Sequence, residues 1–135
     1  MRRLHPSAAR WWLAAACLAL AACSDPVTAP GRDPEIINAT DNFQYQISDV
    51  RGYSGTQVYT WQHSGTTAKV NQSAAISSGT ATLVIRDANG TQVYSRSLAD
   101  NGTFVSAAGA PGTWTVSVTY TSVDATVNFR VDKST

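Results

Sequence analysis

The chain has 135 residues, with 10 Lys+Arg against 9 Asp+Glu, 43% apolar and 14% charged residues. No basic stripe runs through it, which excludes the usual nucleic-acid partner, because phosphate neutralisation needs clustered Lys and Arg. Its length suits one independently folding domain rather than two.

The first residues read as an export signal. Arg2, Arg3 and Arg10 precede an apolar stretch, Trp11–Ala22, that ends in small residues. The stretch falls short of the about 20 apolar residues a membrane-spanning helix needs. It closes on Leu20-Ala21-Ala22-Cys23, which resembles the lipobox of bacterial lipoproteins. The resemblance implies a cut before Cys23, transfer of a diacylglyceryl group with palmitate-type chains to its thiol, and anchoring in a bacterial envelope membrane. Ordinary secretory cleavage after Ala19-Leu20-Ala21 competes with this reading, although a cysteine need not follow such a site. The flanks of Arg2-Arg3 do not support a twin-arginine signal. By the same resemblance, Ser24 suits transfer to an outer membrane, while Asp25 weighs against it.

Cleavage before Cys23 removes three of the ten basic residues and leaves the mature chain at net −2. Cys23 is then the only cysteine, so no intramolecular disulfide supports the fold. From Ser24 to Asp41 the chain reads as a tether. Pro26, Pro30 and Pro34 fall there among residues with little to bury, and proline favours extended backbone. The expected organisation is a signal over 1–22, a lipidated cysteine and flexible tether over 23–41, and a folded domain over 42–133.

From residue 42 the apolar pattern has period two, the mark of half-buried strands. Phe43, Tyr45 and Ile47 alternate with polar residues, and Val58–His63 is rich in β-formers. Ala68, Val70, Ala74 and Ile76 form a weaker run. Ala81–Arg86, Val93–Leu98 and Thr103–Ala107 follow. Trp114, Val116, Val118 and Tyr120 alternate most clearly, and Ala125, Val127, Phe129 and Val131 close the series. Asp87-Ala88-Asn89-Gly90 predicts a tight hairpin with Asn-Gly at positive φ, and Ala99-Asp100-Asn101-Gly102 repeats the chemistry. Seven or eight short strands with such turns predict a single antiparallel β-sandwich, immunoglobulin-like or jelly-roll-like.

Thr82–Gly90, followed by Gly112–Val118 and a closing strand, resembles small exported bacterial sandwich modules such as pre-peptidase C-terminal domains. The resemblance spans residues 80–131 and implies a module that binds or spaces; it carries over no functional residue.

Chemistry-bearing residues are few. His63 is the one histidine after Cys23, which excludes a multi-histidine metal site and favours a strand-end role. A Ser-His-Asp set drawn from Ser54 or Ser64, His63 and an aspartate lacks the G-x-S-x-G elbow. Asp87, Asn89, Asp100 and Asn101 offer calcium-type oxygens, but turn geometry accounts for them and no EF-hand spacing is present. Asn38, Asn71, Asn89 and Asn101 head N-x-[ST] triplets that arise readily in so Thr/Ser-rich a sequence. No cofactor is implied.

The aromatic residues give the one hint of recognition. Tyr59, Trp61 and His63 share one face of their strand, and Val58 and Thr60 share the other. With Val58 inward, Tyr59, Trp61 and nearby Tyr53 would make an exposed ligand-binding strip. With Trp61 inward, the strip belongs to the core, and the larger apolar group favours this. Trp114 reads as core in register with Val116 and Val118. The sequence therefore points to a non-catalytic, membrane-anchored envelope lipoprotein presenting a sandwich to a protein or envelope surface. Its alternative is a carbohydrate-binding lipoprotein using Tyr53, Tyr59 and Trp61.

Overall fold

The structure is a computed structural model that describes residues 33–135. The signal segment, Cys23 and the first part of the tether lie outside the described residues. Seven strands form among the described residues: β1 (Glu35–Ala39), β2 (Asn42–His63), β3 (Ala68–Gln72), β4 (Ala75–Arg86), β5 (Gln92–Ser97), β6 (Gly102–Val105) and β7 (Gly112–Lys133). All pair antiparallel within one sheet, which folds on itself as a sandwich. The all-β expectation holds.

β7 is the axis. β2 pairs along one side of it from Asn42↔Asp132 to His63↔Gly112. Along the other side run β3, opposite Phe129–Lys133, and β4, opposite Thr115–Thr126. Between them the Ser73 N–H donates to Asn128 O at 2.9 Å, so β3 and β4 act as one interrupted strand. β1 and β6 border this ribbon at one end and β5 at the other.

A twisted ribbon this long does not stay flat. It bends where Asp49 (φ 57°), Gly52 (φ 57°), Gly79 (φ 74°) and Ser122 (φ 46°) leave the extended region. Register shifts between Ile47 and Gly55, and between Ile76 and Thr80, mark the same corner. Such bulges add the local twist that re-aims a strand. Side chains pin it: Asp124 Oδ1 accepts the Gly52 N–H at 2.6 Å, and Ser54 Oγ accepts the Ser122 N–H at 2.8 Å.

The bend lays two apolar faces together. One half contributes Phe43, Tyr45, Val70, Val127 and Phe129; the other contributes Trp61, Leu83, Ile85, Trp114, Val116 and Tyr120, all buried. Tyr45 stacks on Phe129 with centroids 5.0 Å apart, and Phe43 meets Tyr59 at 5.6 Å. Aromatic pairs at these separations add to the area they bury.

Three expectations need correction. β1 lies inside the expected tether: Glu35–Ala39 pairs with Asn42–Gln46, so the folded region begins near residue 35 rather than 42. The number of strands is within the expected seven or eight, but the runs differ: Phe43–Ser48 joins Val58–His63 within β2 and Trp114–Tyr120 joins Ala125–Val131 within β7, which leaves six, and β1 is the seventh. Bulges at the corner break the alternation as a turn would. In the β4–β5 hairpin only Gly90 has positive φ (83°), not Asn89. Gly90 N–H bonds Asp87 O and Asp87 N–H bonds Thr91 O, which makes a three-residue loop with its bulge at glycine.

Candidate functional site

The expected ligand-binding residues are not gathered at the surface. Trp61 is 1% exposed, Tyr53 2%, and Tyr59 is half-buried, whereas Val58 is 60% exposed. Turning Trp61 inward removes far more apolar area from water than turning Val58 inward. The exposed strip of Tyr53, Tyr59 and Trp61 is therefore replaced by a core cluster. Trp61 lies opposite Trp114 in the ladder, their rings edge-to-face at 6.0 Å, and its Nε1–H donates to Ala39 O at 3.0 Å. Tyr53 packs edge-on against Tyr120 at 5.2 Å. Tyr45 and Tyr59 donate to Gln57 Oε1 at 2.6 and 3.2 Å, and the Tyr45 and Tyr120 hydroxyls meet at 2.7 Å. Burial raises the ionisation of Tyr45, Tyr59 and Tyr120 above the ordinary range, so these hydroxyls remain neutral donors.

The densest polar arrangement sits at the end of the sandwich opposite the corner. His63, 2% exposed, is stacked on Trp61 at 4.6 Å and meets the edge of Trp114 at 4.3 Å. Its Nε2 donates to Thr67 O at 2.9 Å, which assigns the proton to that nitrogen in the neutral ring. Nδ1 then accepts the Gly65 N–H at 3.2 Å and lies 3.3 Å from Asp41 Oδ1. Asp41 takes the Ser64 hydroxyl on Oδ2 and the Ser64 N–H on Oδ1, both at 2.7 Å. These bonds, with a smaller contribution from Lys133, outweigh desolvation and hold its carboxyl down at about 2. Lys133 Nζ reaches Ser64 Oγ at 3.1 Å.

Ser64, His63 and Asp41 are thus neighbours, but not in the order nucleophilic catalysis needs. Ser64 Oγ is bonded to the carboxylate rather than to the imidazole, and the far imidazole nitrogen is committed to a backbone carbonyl. Ser54 is at the opposite end, where its Oγ pins the corner. Three of the four calcium-type groups, Asp87, Asp100 and Asn101, are likewise engaged. Asp87, 6% exposed, accepts the Asn89 and Thr91 N–H groups on Oδ1 and that of Ala110 on Oδ2. Those backbone bonds, Ala110 foremost, lower its ionisation. Asn101 is bonded to Ala74, and Asp100 pairs with Arg96 at 3.6 Å. No cluster of three or more His, Cys, Asp or Glu gathers among the described residues.

No protein-family model matches the chain, and no curated protein matches it. Its outer surfaces carry what remains of the functional reading. On the outer face of the half that holds β5, Thr56, Val58, Thr60, Thr113, Thr119 and Thr121 are exposed, and Arg86 is the one charge on that face among the described residues. The other half presents Lys69, Asn71, Arg130 and Asp132 outward instead. Exposed large apolar side chains, Ile37, Val58 and Val105, lie on separate strands and form no continuous patch.

Two polar positions were not singled out in the sequence. Gln72 is buried; its Nε2 donates to Ser97 O and Asp100 O at 3.0 and 2.7 Å, and its Oε1 accepts from Tyr94 OH at 2.6 Å. Its parity with Ala68 and Val70 carried the signal. Asp41 fell in the expected tether, and nothing local marked it.

Proposed function

We propose that the chain is a lipid-anchored lipoprotein of the bacterial envelope, non-catalytic, whose sandwich presents a surface to a protein or envelope partner. The observation that carries this reading is Leu20-Ala21-Ala22-Cys23 at the end of a short apolar segment, with Cys23 the only cysteine beyond it. Eleven residues separate Cys23 from Glu35, at most about 40 Å of extended chain. β1 starts beside Gln46, next to the corner, so the chain from Cys23 enters the domain at its corner end. Asp33, Glu35, Asp49 and Asp124 stand there against Arg51, and an acidic end is repelled by anionic lipid. The domain then stands off the bilayer with its hydroxyl-rich face free. That face suits a partner surface that is itself nearly uncharged, since Arg86 is the one charge that needs a partner on contact. An outer-membrane address accords with Ser24.

The test is fractionation of Cys23→Ala and wild-type chains after labelling with a fatty acid. The expected result is label and membrane pelleting for wild type, and neither for the variant. A variant that is still cut before residue 23 and pelleted with membranes removes the basis of the reading.

A further inference from the structure

The two Asn-Gly pairs, Asn89-Gly90 and Asn101-Gly102, share a dipeptide and differ in surroundings. Asn89 is exposed at the tip of the β4–β5 hairpin. Its backbone N–H is held by Asp87, but its carboxamide makes no hydrogen bond among the described residues. A Cβ built on Gly90 would meet nothing within 4 Å, so there is room for the carboxamide to swing back over the following backbone nitrogen. One bond opposes that approach, Gly90 N–H to Asp87 O at 2.9 Å. Asn101 is held differently. Its Oδ1 accepts the Ala74 N–H at 2.8 Å and its Nδ2 donates to Ala74 O at 3.1 Å. Gly102 begins β6, paired with Gln72, and a Cβ there would lie 3.2 Å from the Phe104 ring.

We infer that Asn89 is a site of spontaneous deamidation in the folded protein and that its bonds to Ala74 protect Asn101 from the same reaction. The Gly90 backbone nitrogen, losing its proton to solvent, attacks Asn89 Cγ. The N–Cγ bond forms, the Cγ–Nδ2 bond breaks, and Nδ2 takes a third proton from solvent, replacing the one Gly90 gave up, and leaves as ammonia. Water then opens the five-membered succinimide at either carbonyl, giving aspartate or isoaspartate. No oxidant or metal takes part. Isoaspartate lengthens the backbone between two N–H groups that Asp87 Oδ1 holds, those of Asn89 and Thr91. The hairpin loosens there, while the Ala110 bond to Oδ2 stays outside the altered stretch.

The experiment ages the purified full-length chain at mildly alkaline pH, natively and in concentrated urea, and follows both sites by mass spectrometry. Trypsin separates them, since Arg86, Arg96 and Arg130 bound peptides 87–96 and 97–130. In the folded protein Asn89 should convert at least about tenfold faster than Asn101, the size expected from holding a group by two further hydrogen bonds. In urea the two rates should converge. Asn89→Gln should abolish the native conversion in 87–96, since its longer side chain does not close the same ring. Equal native rates, faster conversion of Asn101, or a ratio that persists in urea would overturn the assignment.

Discussion

Val58 and Trp61 settle opposite ways on β2, and the choice is decided by what each removes from water. Tyr59, Trp61 and His63 have one parity and Val58 the other, so the local pattern allowed either face to turn inward. The partner strand resolves it: Trp61 lies opposite Trp114, whose own alternation with Val116 and Val118 leaves no ambiguity. Trp114 was therefore legible from its strand alone, whereas Trp61 needed the ladder. Trp61→Ala empties a site between His63 and Trp114 and should cost about 3–5 kcal/mol of unfolding free energy. Val58→Ala should stay within about 0.5 kcal/mol, as exposed changes do. Denaturant melts of the two variants check both values. A small loss for Trp61→Ala would place its ring outside the core.

At the scale of elements, the strand halves were legible and their continuity was not. Periodicity located Phe43–Ile47, Val58–His63, Trp114–Tyr120 and Ala125–Val131, because each half-strand buries one face. It stopped at the corner, where Asp49, Gly52 and Ser122 adopt positive φ and the ladder shifts register without ending. β1 escaped for another reason: Ile36 and Ile37 are adjacent, so the segment shows no alternation, and its apolar contact comes from Ile36 alone. The corner makes its own forecast. A Cβ on Gly79 would stand 2.2 Å from Ser122 O and 2.5 Å from Thr121 O, backbone atoms that have nowhere to go. Gly79→Ala should cost about 2–4 kcal/mol, a left-handed penalty plus a steric one. Gly52→Ala carries the same hand (φ 57°) in open space and should lose only about 1–2 kcal/mol. Thermal melts of the pair separate strain from clash; equal losses would show that the two chain segments at the corner are free to part.

For the molecule as a whole, Asp41 links segments that are far apart in sequence. Its N–H donates to Gln62 O, its carbonyl accepts from the Lys133 N–H, and its carboxylate holds Ser64. The β1–β2 turn, the end of β2 and the end of β7 therefore meet on one residue. Its folded ionisation, at about 2, is below the ordinary 3.8. A depressed carboxyl contributes stability that is present above the unfolded value and is lost as pH falls through the folded one. Wild-type stability should thus decline from about pH 4 toward pH 2, and Asp41→Asn should start lower and decline less over that window. Asp87, also lowered, keeps some of the slope in the variant. Melting temperature against pH, read by circular dichroism for both chains, gives the comparison; parallel curves would count against Asp41 as a source of the slope.

β1 also sets how the molecule carries load. Its residue pairs run from Glu35↔Gln46, nearest the corner, to Ala39↔Asn42 at the far end. Tension on the chain before Glu35, against a hold on the far end of the sandwich, pulls along the strand axis. The bonds between β1 and β2 then resist together in shear, where a pull across the strand would open them one after another like a zipper. The five-pair attachment of β1 is thus loaded in its mechanically stronger direction.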